Sequence, residues 1–327
     1  MRCSPAEPRR LNRVRFAPCL RHDLPVTAHL DLPAGYSARP ATPDDAQAVT
    51  ELVAACEKHD IGEVLVELED IVADWQRPSL DLSQHSVLVF AGGELAAAGE
   101  VAKGRRAEVY VRPGHRGRGL GSMLMRWTWD VARDGGGTLI GQSIPQSLTS
   151  AAGLFEQNGY EPMWTSWILE LPPDAPLDDV HLPPDLEVRS FVPGQDERAA
   201  YQVIEDAFGE WPDRDPTTFE DWTASVLGRP GFEPGQLQLL FDGTQIIGAC
   251  NTSINDGWGW VDQVAVRRDQ RGRGLGKALL IRAFRQAREQ GAVRCELSTD
   301  SRTGALGLYQ HVGMRVTSTY VHWAKQL

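Results

Sequence analysis

The residues of this chain that suggest chemistry form a short sequence that occurs twice. Arg-Gly-Arg-Gly-Leu-Gly stands at residues 116–121 and again at residues 271–276. Each copy follows an apolar run, Val109–Val111 or Val264–Val266, and precedes an amphipathic stretch. Glycines allow a backbone to approach a ligand and to adopt positive φ, and the N–H groups at the start of a helix attract anions. The pattern therefore predicts two phosphate-binding turns, each between a strand and a helix.

Two better-known phosphate loops do not fit these turns. A dinucleotide-binding turn has the spacing G-x-G-x-x-G, but Ser122 and Lys277 occupy the position of its third glycine. A Walker A loop requires Gly-Lys followed by Ser or Thr at a fixed spacing, which the sequence does not contain. A single glycine cluster could be a structural turn, but its recurrence between strand and helix favours a ligand-binding function.

The two turns are 155 residues apart, and the elements around them repeat as well. Residues 46–56 and 200–208 carry apolar side chains at helical spacing. The runs 86–90 and 237–241 are strand-like, and each is followed by a turn and a second strand. This order predicts an α+β fold repeated twice, in which each copy has a mixed, mostly antiparallel central sheet flanked by helices.

These patterns divide the chain into four segments. We predict a flexible N-terminal extension (1–34), a first domain (35–171), an acidic, proline-rich linker (172–184) and a second domain (185–327). The extension is basic but lacks a continuous apolar stretch, so we interpret it as a flexible segment or an over-long start rather than a targeting peptide. We expect no association with a membrane, because no apolar stretch approaches the length of a span.

Composition limits the partners that we expect. The net charge is −11 over 327 residues, which argues against nucleic acid because phosphate contacts need clustered Lys and Arg. An acidic surface would attract a cationic substrate such as an amine, although the simpler interpretation is that it serves solubility alone. The five cysteines are scattered and odd in number, which favours a reduced, cytoplasmic protein without disulfides or a zinc site. We expect a monomer or a homodimer without a metal cofactor.

With their first arginine included, the turns resemble the R/Q-x-x-G-x-G/A signature of the GNAT (GCN5-related) N-acetyltransferases. The resemblance covers nearly the whole chain and implies acetyl-CoA as the cosubstrate. In that family the turn holds the CoA pyrophosphate, and the preceding strand pairs with the pantetheine arm. In the first domain the resemblance implies the cofactor-binding residues Val109, Tyr110, Val111, Arg116, Gly117, Arg118, Gly119, Leu120 and Gly121. In the second domain it implies Val264, Ala265, Val266, Arg271, Gly272, Arg273, Gly274, Leu275, Gly276 and Lys277.

The resemblance also implies that the second domain is the catalyst. Many family members protonate the departing CoA thiolate with a tyrosine in a segment that reads Leu-Tyr-x-x-x-Gly-Phe. Tyr309 stands at this position in the second domain, whereas Phe155 stands there in the first and cannot donate a proton. The first domain is therefore predicted to bind CoA without catalysing transfer. Two points stay open: Tyr309 could be a packing aromatic, and Arg302 replaces an asparagine that is common in the family.

The amine must lose a proton, because its unperturbed pKa is near 10. Family members commonly place an acid on the strand before the turn, and Asp262 is the acid within reach there. The corresponding residue of the first domain, by spacing, is Ala107. Strand alternation predicts that one face carries Trp260, Asp262, Val264 and Val266 and that the other carries Gln263 and Ala265.

Other assignments of the base remain open from the sequence. Asp262 could be a structural hydrogen-bonding residue. Glu205 or Glu210 on the preceding helix, or a water-mediated route, could then remove the proton.

We therefore predict an acetyl-CoA-dependent N-acetyltransferase that acts on a primary amine of a small molecule, by direct transfer in a ternary complex. Tandem members of the family with a silent first copy, which acetylate a cysteinyl pseudo-disaccharide amine, are similar. They carry a glutamate where this chain has Trp260, which implies a differently shaped acceptor pocket. A non-catalytic acyl-CoA sensor is the alternative from a different class of protein.

Overall fold

The computed structural model describes residues 30–177, 181–211, 214–255 and 257–327. Most of the extension predicted at 1–34 lies outside these residues, as does the middle of the linker predicted at 172–184. In the described part of the linker, Ala175, Leu177 and Leu182 pack against the core of the second domain.

The two halves of the chain form the same order of elements. The first domain contains strands β1 (Tyr36–Arg39), β2 (Ser86–Ala91), β3 (Glu94–Ala102), β4 (Arg106–Val111), β5 (Leu139–Pro145) and β6 (Glu161–Leu171), and helices α1 (Ala46–Asp60), α2 (Leu68–Trp75), α3 (Leu82–His85), α4 (Leu120–Asp134) and α5 (Thr149–Gln157). The second contains strands β7 (Leu186–Ser190), β8 (Leu237–Asp242), β9 (Gln245–Asn255), β10 (Trp258–Val266), β11 (Arg294–Asp300) and β12 (Arg315–Gln326), and helices α6 (Glu197–Phe208), α7 (Phe219–Trp222), α8 (Leu275–Glu289) and α9 (Leu306–Val312).

The helices pack on the two faces of the sheet through the apolar residues that their spacing predicts. On one face, α1 buries Val49, Val53 and Cys56 against the sheet of the first domain. On the other face, α4 buries Leu124 and Trp127, and α8 repeats this packing in the second domain. Among the described residues, no helix is long and apolar enough to cross a membrane. The predicted α+β class with helices flanking a mixed sheet is confirmed.

Most neighbouring strands are antiparallel, but one pair in each domain is parallel. β4 and β5 share a single register pair, Arg106 with Gly141. β10 and β11 are paired only over Trp258–Val261 and Arg294–Leu297. Beyond these residues the two strands of each pair are no longer joined, so each domain has a gap in its sheet at the end where the Gly-rich turn follows.

The last strands of the two domains are exchanged, which the repeat does not reveal. β12 comes from the second domain but lies between β5 and β6, with Tyr320 opposite Pro145 on one side and Ser166 on the other. β6 comes from the first domain and pairs with β11 of the second, with Leu171 opposite Cys295. The two halves therefore form one sheet of 12 strands rather than two separate sheets.

Candidate active site

Both Gly-rich turns have the backbone that their glycines predict. Gly117 and Gly119 adopt φ of 73° and 85°, and Gly272 and Gly274 adopt 76° and 77°. L residues with a side chain rarely adopt such angles. A Cβ at these four positions would meet no atom within 4 Å, so the space above each turn is open. Because α4 and α8 begin directly after the turns, at Leu120 and Leu275, their free N–H groups face that space.

The first arginine of each turn forms hydrogen bonds that hold the turn in place. The Arg116 guanidinium donates to both carboxylate oxygens of Asp60 on α1, at 2.6 and 2.8 Å, and its Nε donates to the Val111 carbonyl at 3.0 Å. Arg271 repeats this arrangement with Glu210, at 2.8 and 3.0 Å, and with the Val266 carbonyl. Both arginines are among the predicted cofactor-binding residues, and in the structure they join the strand and the turn to a carboxylate at or just after the end of the preceding helix.

A deep pocket lies in the gap of the first domain. Its volume is about 580 Å³.

The walls of this first-domain pocket come from both sides of the gap. They are the strand residues Val109–Val111, the turn, the end of β5, and Leu154 and Phe155 of α5. Tyr320 of the exchanged strand β12 completes the wall. The cofactor-binding residues predicted for the first domain therefore line one pocket, with the exception of Arg118, which donates to Tyr36 and to the Gly114 carbonyl instead.

In the second domain, α9 approaches the Gly-rich turn as α5 does in the first. Leu308 of α9 lies 3.9 Å from the position of a Cβ on Gly276, and Leu154 of α5 lies 3.6 Å from that of Gly121. The next residue, Tyr309, is 7% exposed and packs in a cluster that includes Cys250. Burial and the nearby Cys250 raise the pKa of Tyr309 to about 12, so its phenol keeps its proton at neutral pH.

Arg302, the departure from the family pattern, lies at the seam between the two domains. Its guanidinium pairs with Asp300 at 2.6 Å and lies over the ring of Trp164, 3.7 Å from the centroid. Trp164 belongs to the exchanged strand β6, so the side chain at this position contacts the other domain.

A β-bulge in β10 changes which residues share a face, and the alternation that we expected there is wrong. Register pairs run through Val261 and resume at Gln263, which leaves Asp262 as an extra residue. Before the bulge, Trp258, Trp260 and Asp262 face a cavity between the domains. After it, Val264 and Val266 pack against α8 on the opposite face, while Ala265 packs towards α6. Val264 and Val266 therefore do not share the cavity face with Trp260 and Asp262.

The bulge also changes the counterpart of Asp262 in the first domain. Spacing alone pairs Asp262 with Ala107, which is buried in the core beneath α4. β4 has no register shift against β3, and its residues Arg106, Glu108 and Tyr110 face the cavity. The acid of the first domain that shares this face is therefore Glu108, so both domains carry a carboxylate there.

Asp262 has the surroundings of a group that can exchange a proton. It accepts hydrogen bonds from Ser253 Oγ at 2.7 Å and Asn251 Nδ2 at 3.2 Å. Its side chain is open to the cavity, but protein surrounds that cavity, and this burial raises the pKa of Asp262 to about 7 although the Ser253 hydrogen bond opposes the shift. Glu205 and Glu210, the alternative bases, are each held in a two-pronged ion pair, with Arg214 and Arg271 respectively.

The cavity that Asp262 faces has a volume of about 420 Å³ and is built by both domains. Its lining includes Trp75, Glu100 and Glu108 from the first domain and Trp258, Trp260 and Asp262 from the second. Sequence reasoning missed the first-domain residues. The available signal was the alternation of Arg106, Glu108 and Tyr110 along β4, which places three polar side chains on one face.

Several acidic side chains face this cavity. Glu100 and Glu108 are directly opposite each other on β3 and β4. Burial and the charge of Glu108 raise the pKa of Glu100 to about 7, although Trp75 Nε1 donates to it at 2.9 Å. Glu108 pairs with Arg106 at 3.1 Å, whereas the carboxyl groups of Glu100 and Asp262 in this confined space would stabilise an incoming cation. In the described part of the chain, no group of three or more His, Cys, Asp or Glu side chains could hold a metal ion.

Comparison with known proteins agrees with this geometry. Residues 83–162 match a family described as Acetyltransferase (GNAT) domain, and residues 197–314 match the Acetyltransferase (GNAT) family. The chain belongs to the GNAT acetyltransferases and is an N-acetyltransferase of the tandem-domain type. Enzymes of this family use acetyl-CoA.

Among particular proteins, the chain is similar to mycothiol acetyltransferases. It is 31% identical over 270 residues to that of Thermomonospora curvata, covering 81% of this chain and 88% of the relative. It is 29% identical over 282 residues to that of Thermobispora bispora, covering 83% and 93%. The crystal structure of a GCN5-related N-acetyltransferase from Sphaerobacter thermophilus has a TM-score of 0.72 and 37% identity, covering 90% of this chain and 96% of that one. A tandem GNAT protein from the clavulanic acid biosynthesis pathway shares the fold, with a TM-score of 0.68 at 16% identity, covering 89% and 98%.

Proposed function

We propose that the protein transfers the acetyl group of acetyl-CoA directly to a primary amine of a small molecule, in a ternary complex at the second domain. The observation that carries this proposal is the position of Asp262. It lies on the strand before the Gly-rich turn, faces an interdomain cavity and has a pKa near neutrality. A base whose pKa lies close to the working pH is the most effective proton acceptor.

We assign a separate role to each predicted site residue of the second domain. The turn at 271–276 and the start of α8 would hold the CoA pyrophosphate, and Val264–Val266 would lie along the pantetheine arm. Asp262 would accept the proton that the amine loses. The bulge places Asp262 outside the register pairs of β9 and β10, and its backbone N–H would donate to the carbonyl oxygen of the thioester. Tyr309 would donate a proton to the departing thiolate.

The cavity favours a cationic acceptor with apolar or ring-shaped parts. Carboxylates of both domains face it, and Trp75, Trp258 and Trp260 add aromatic walls. The cysteinyl pseudo-disaccharide precursor of mycothiol is one candidate, because relatives named mycothiol acetyltransferase match most of the chain. Trp260 argues against that candidate, since the family resemblance implies a glutamate at this position in enzymes that acetylate this precursor.

The test is an acetyl-CoA consumption assay with purified protein and a panel that contains the mycothiol precursor, polyamines and aminoglycosides. We expect at least one amine to be acetylated. In that reaction Tyr309→Phe should reduce kcat by about 100-fold while CoA affinity stays unchanged, because only the proton donor is lost. An unchanged kcat in Tyr309→Phe would remove Tyr309 from the mechanism. Silence across the panel with intact CoA binding would favour the acyl-CoA sensor.

A further inference from the structure

The pocket of the first domain adjoins the acceptor cavity. Glu57 of α1 and Tyr110 of β4 line both spaces. A thioester held in the pocket would therefore lie next to an amine held in the cavity. This proximity is not needed for a domain that only binds CoA.

The first domain has an acidic residue, Glu108, on the side of β4 that faces the cavity. Glu108 precedes the predicted pantetheine-binding strand residues by one position, and its side chain is 41% exposed towards the cavity. It accepts hydrogen bonds from Arg106 at 3.1 Å and from the Tyr110 hydroxyl at 3.3 Å.

A phenol is available on the pocket side as well. Phe155 provides no proton, but Tyr320 lines the same pocket from the exchanged strand β12. Burial, followed by the charge of Glu57, raises the pKa of Tyr320 to about 12, so its hydroxyl is protonated at neutral pH. The second domain thus supplies the first with the type of group that Phe155 lacks.

We propose that the first domain is a second acetyl-transfer centre, in which Glu108 accepts the proton of the amine and Tyr320 protonates the departing thiolate. The amine nitrogen forms a bond to the thioester carbonyl carbon, and the carbon–sulfur bond breaks. The proton lost by nitrogen goes to the Glu108 carboxylate, and the CoA thiolate takes the proton of Tyr320. Exchange with solvent then restores both side chains. The inference rests on the proposed function, and it differs from the prediction of an inert first domain that Phe155 alone suggests.

The experiment separates the two centres by variants of the full chain. Asp262→Asn with Tyr309→Phe disables the proposed second-domain centre, and the residual release of CoA is measured with an amine that the wild type acetylates. We expect a residual rate above the uncatalysed one. Adding Tyr320→Phe should lower that rate by about 100-fold in kcat, with calorimetric CoA binding unchanged. Glu108→Gln should act in the same direction.

The control is Tyr201→Phe, because the Tyr201 hydroxyl donates to the Thr217 carbonyl and lines neither space. It should leave the residual rate unchanged. Thermal unfolding of each variant checks that the fold is intact. The inference is overturned if the wild type is active but the Asp262→Asn, Tyr309→Phe variant has only the uncatalysed rate. It is also overturned if adding Tyr320→Phe leaves the residual rate of that variant unchanged. A wild type that acetylates no amine overturns the proposed function itself.

Discussion

Arg116 and Asp60 form a two-pronged ion pair that joins the Gly-rich turn of the first domain to the end of α1. Arg271 and Glu210 form the same pair in the second domain. The acid is Asp in one copy and Glu in the other, so the geometry is kept although the residue differs. The arginine of the signature therefore stabilises the shape of the turn that would receive the phosphates.

This pair predicts that Arg116→Lys weakens CoA binding to the first domain, because lysine cannot donate to two carboxylate oxygens and to the Val111 carbonyl at once. Charged hydrogen bonds contribute roughly 1.5–3 kcal/mol, and partial exposure reduces this, so we expect about a tenfold loss of affinity by calorimetry. Arg118→Lys on the same turn is the control. Equal losses in both variants would contradict a specific role for the ion pair between Arg116 and Asp60.

The pKa of Asp262 predicts a pH dependence of transfer. The ionised form accepts the proton, so kcat should rise with pH through about 7 and then level off. Asp262→Asn should lower kcat and remove this rise. The measurement is the pH profile of wild type and variant with the same amine, and an unchanged profile in Asp262→Asn would assign the base elsewhere.

The same carboxyl group predicts a gain of stability on its removal. Its pKa is about 7 in the folded protein and near 3.9 in an unfolded chain, so stability falls as the pH rises through that window. Asp262→Asn should therefore raise the melting temperature at pH 8. The difference should shrink at low pH, where Asp262 is protonated in both states. Melting curves at the two pH values check this, and a lower melting temperature for the variant at pH 8 would contradict it.

Arg229 predicts a large loss of stability, because it ties the second domain to α2 of the first. It is 8% exposed and donates to Glu67 at 2.5 Å and to Asp70 at 3.0 Å. Removing one partner of a buried pair leaves uncompensated charge, so Arg229→Met should cost about 3 kcal/mol in the free energy of unfolding. Arg267→Met breaks the exposed pair with Asp269 and should cost less than about 1 kcal/mol. Urea unfolding measures both, and similar costs would contradict the prediction.

The repeat, the turns and the helix faces could be predicted from the sequence because they depend on local spacing. The glycines of the turns and the buried face of α1 are examples. The bulge at Asp262 could not, since one extra residue in a ladder leaves no mark on the alternation yet moves Val264 to the other face. The ion pairs that Arg116 and Arg271 form could not be predicted either, because Asp60 and Glu210 lie far from their arginines in the chain.

The strand exchange could not be predicted from the sequence, since β6 and β12 have the same place in each repeat and spacing does not say which domain they join.

The strand exchange has a consequence for the order in which the domains can fold during synthesis. β12 is synthesised after all the other strands of the two domains, yet it lies between β5 and β6 and carries Tyr320 into the pocket of the first domain. The first domain therefore cannot complete its sheet before the second domain has been synthesised, although domains usually finish folding in order from the N-terminus. A chain that stops before Arg315 should lose both domains rather than one.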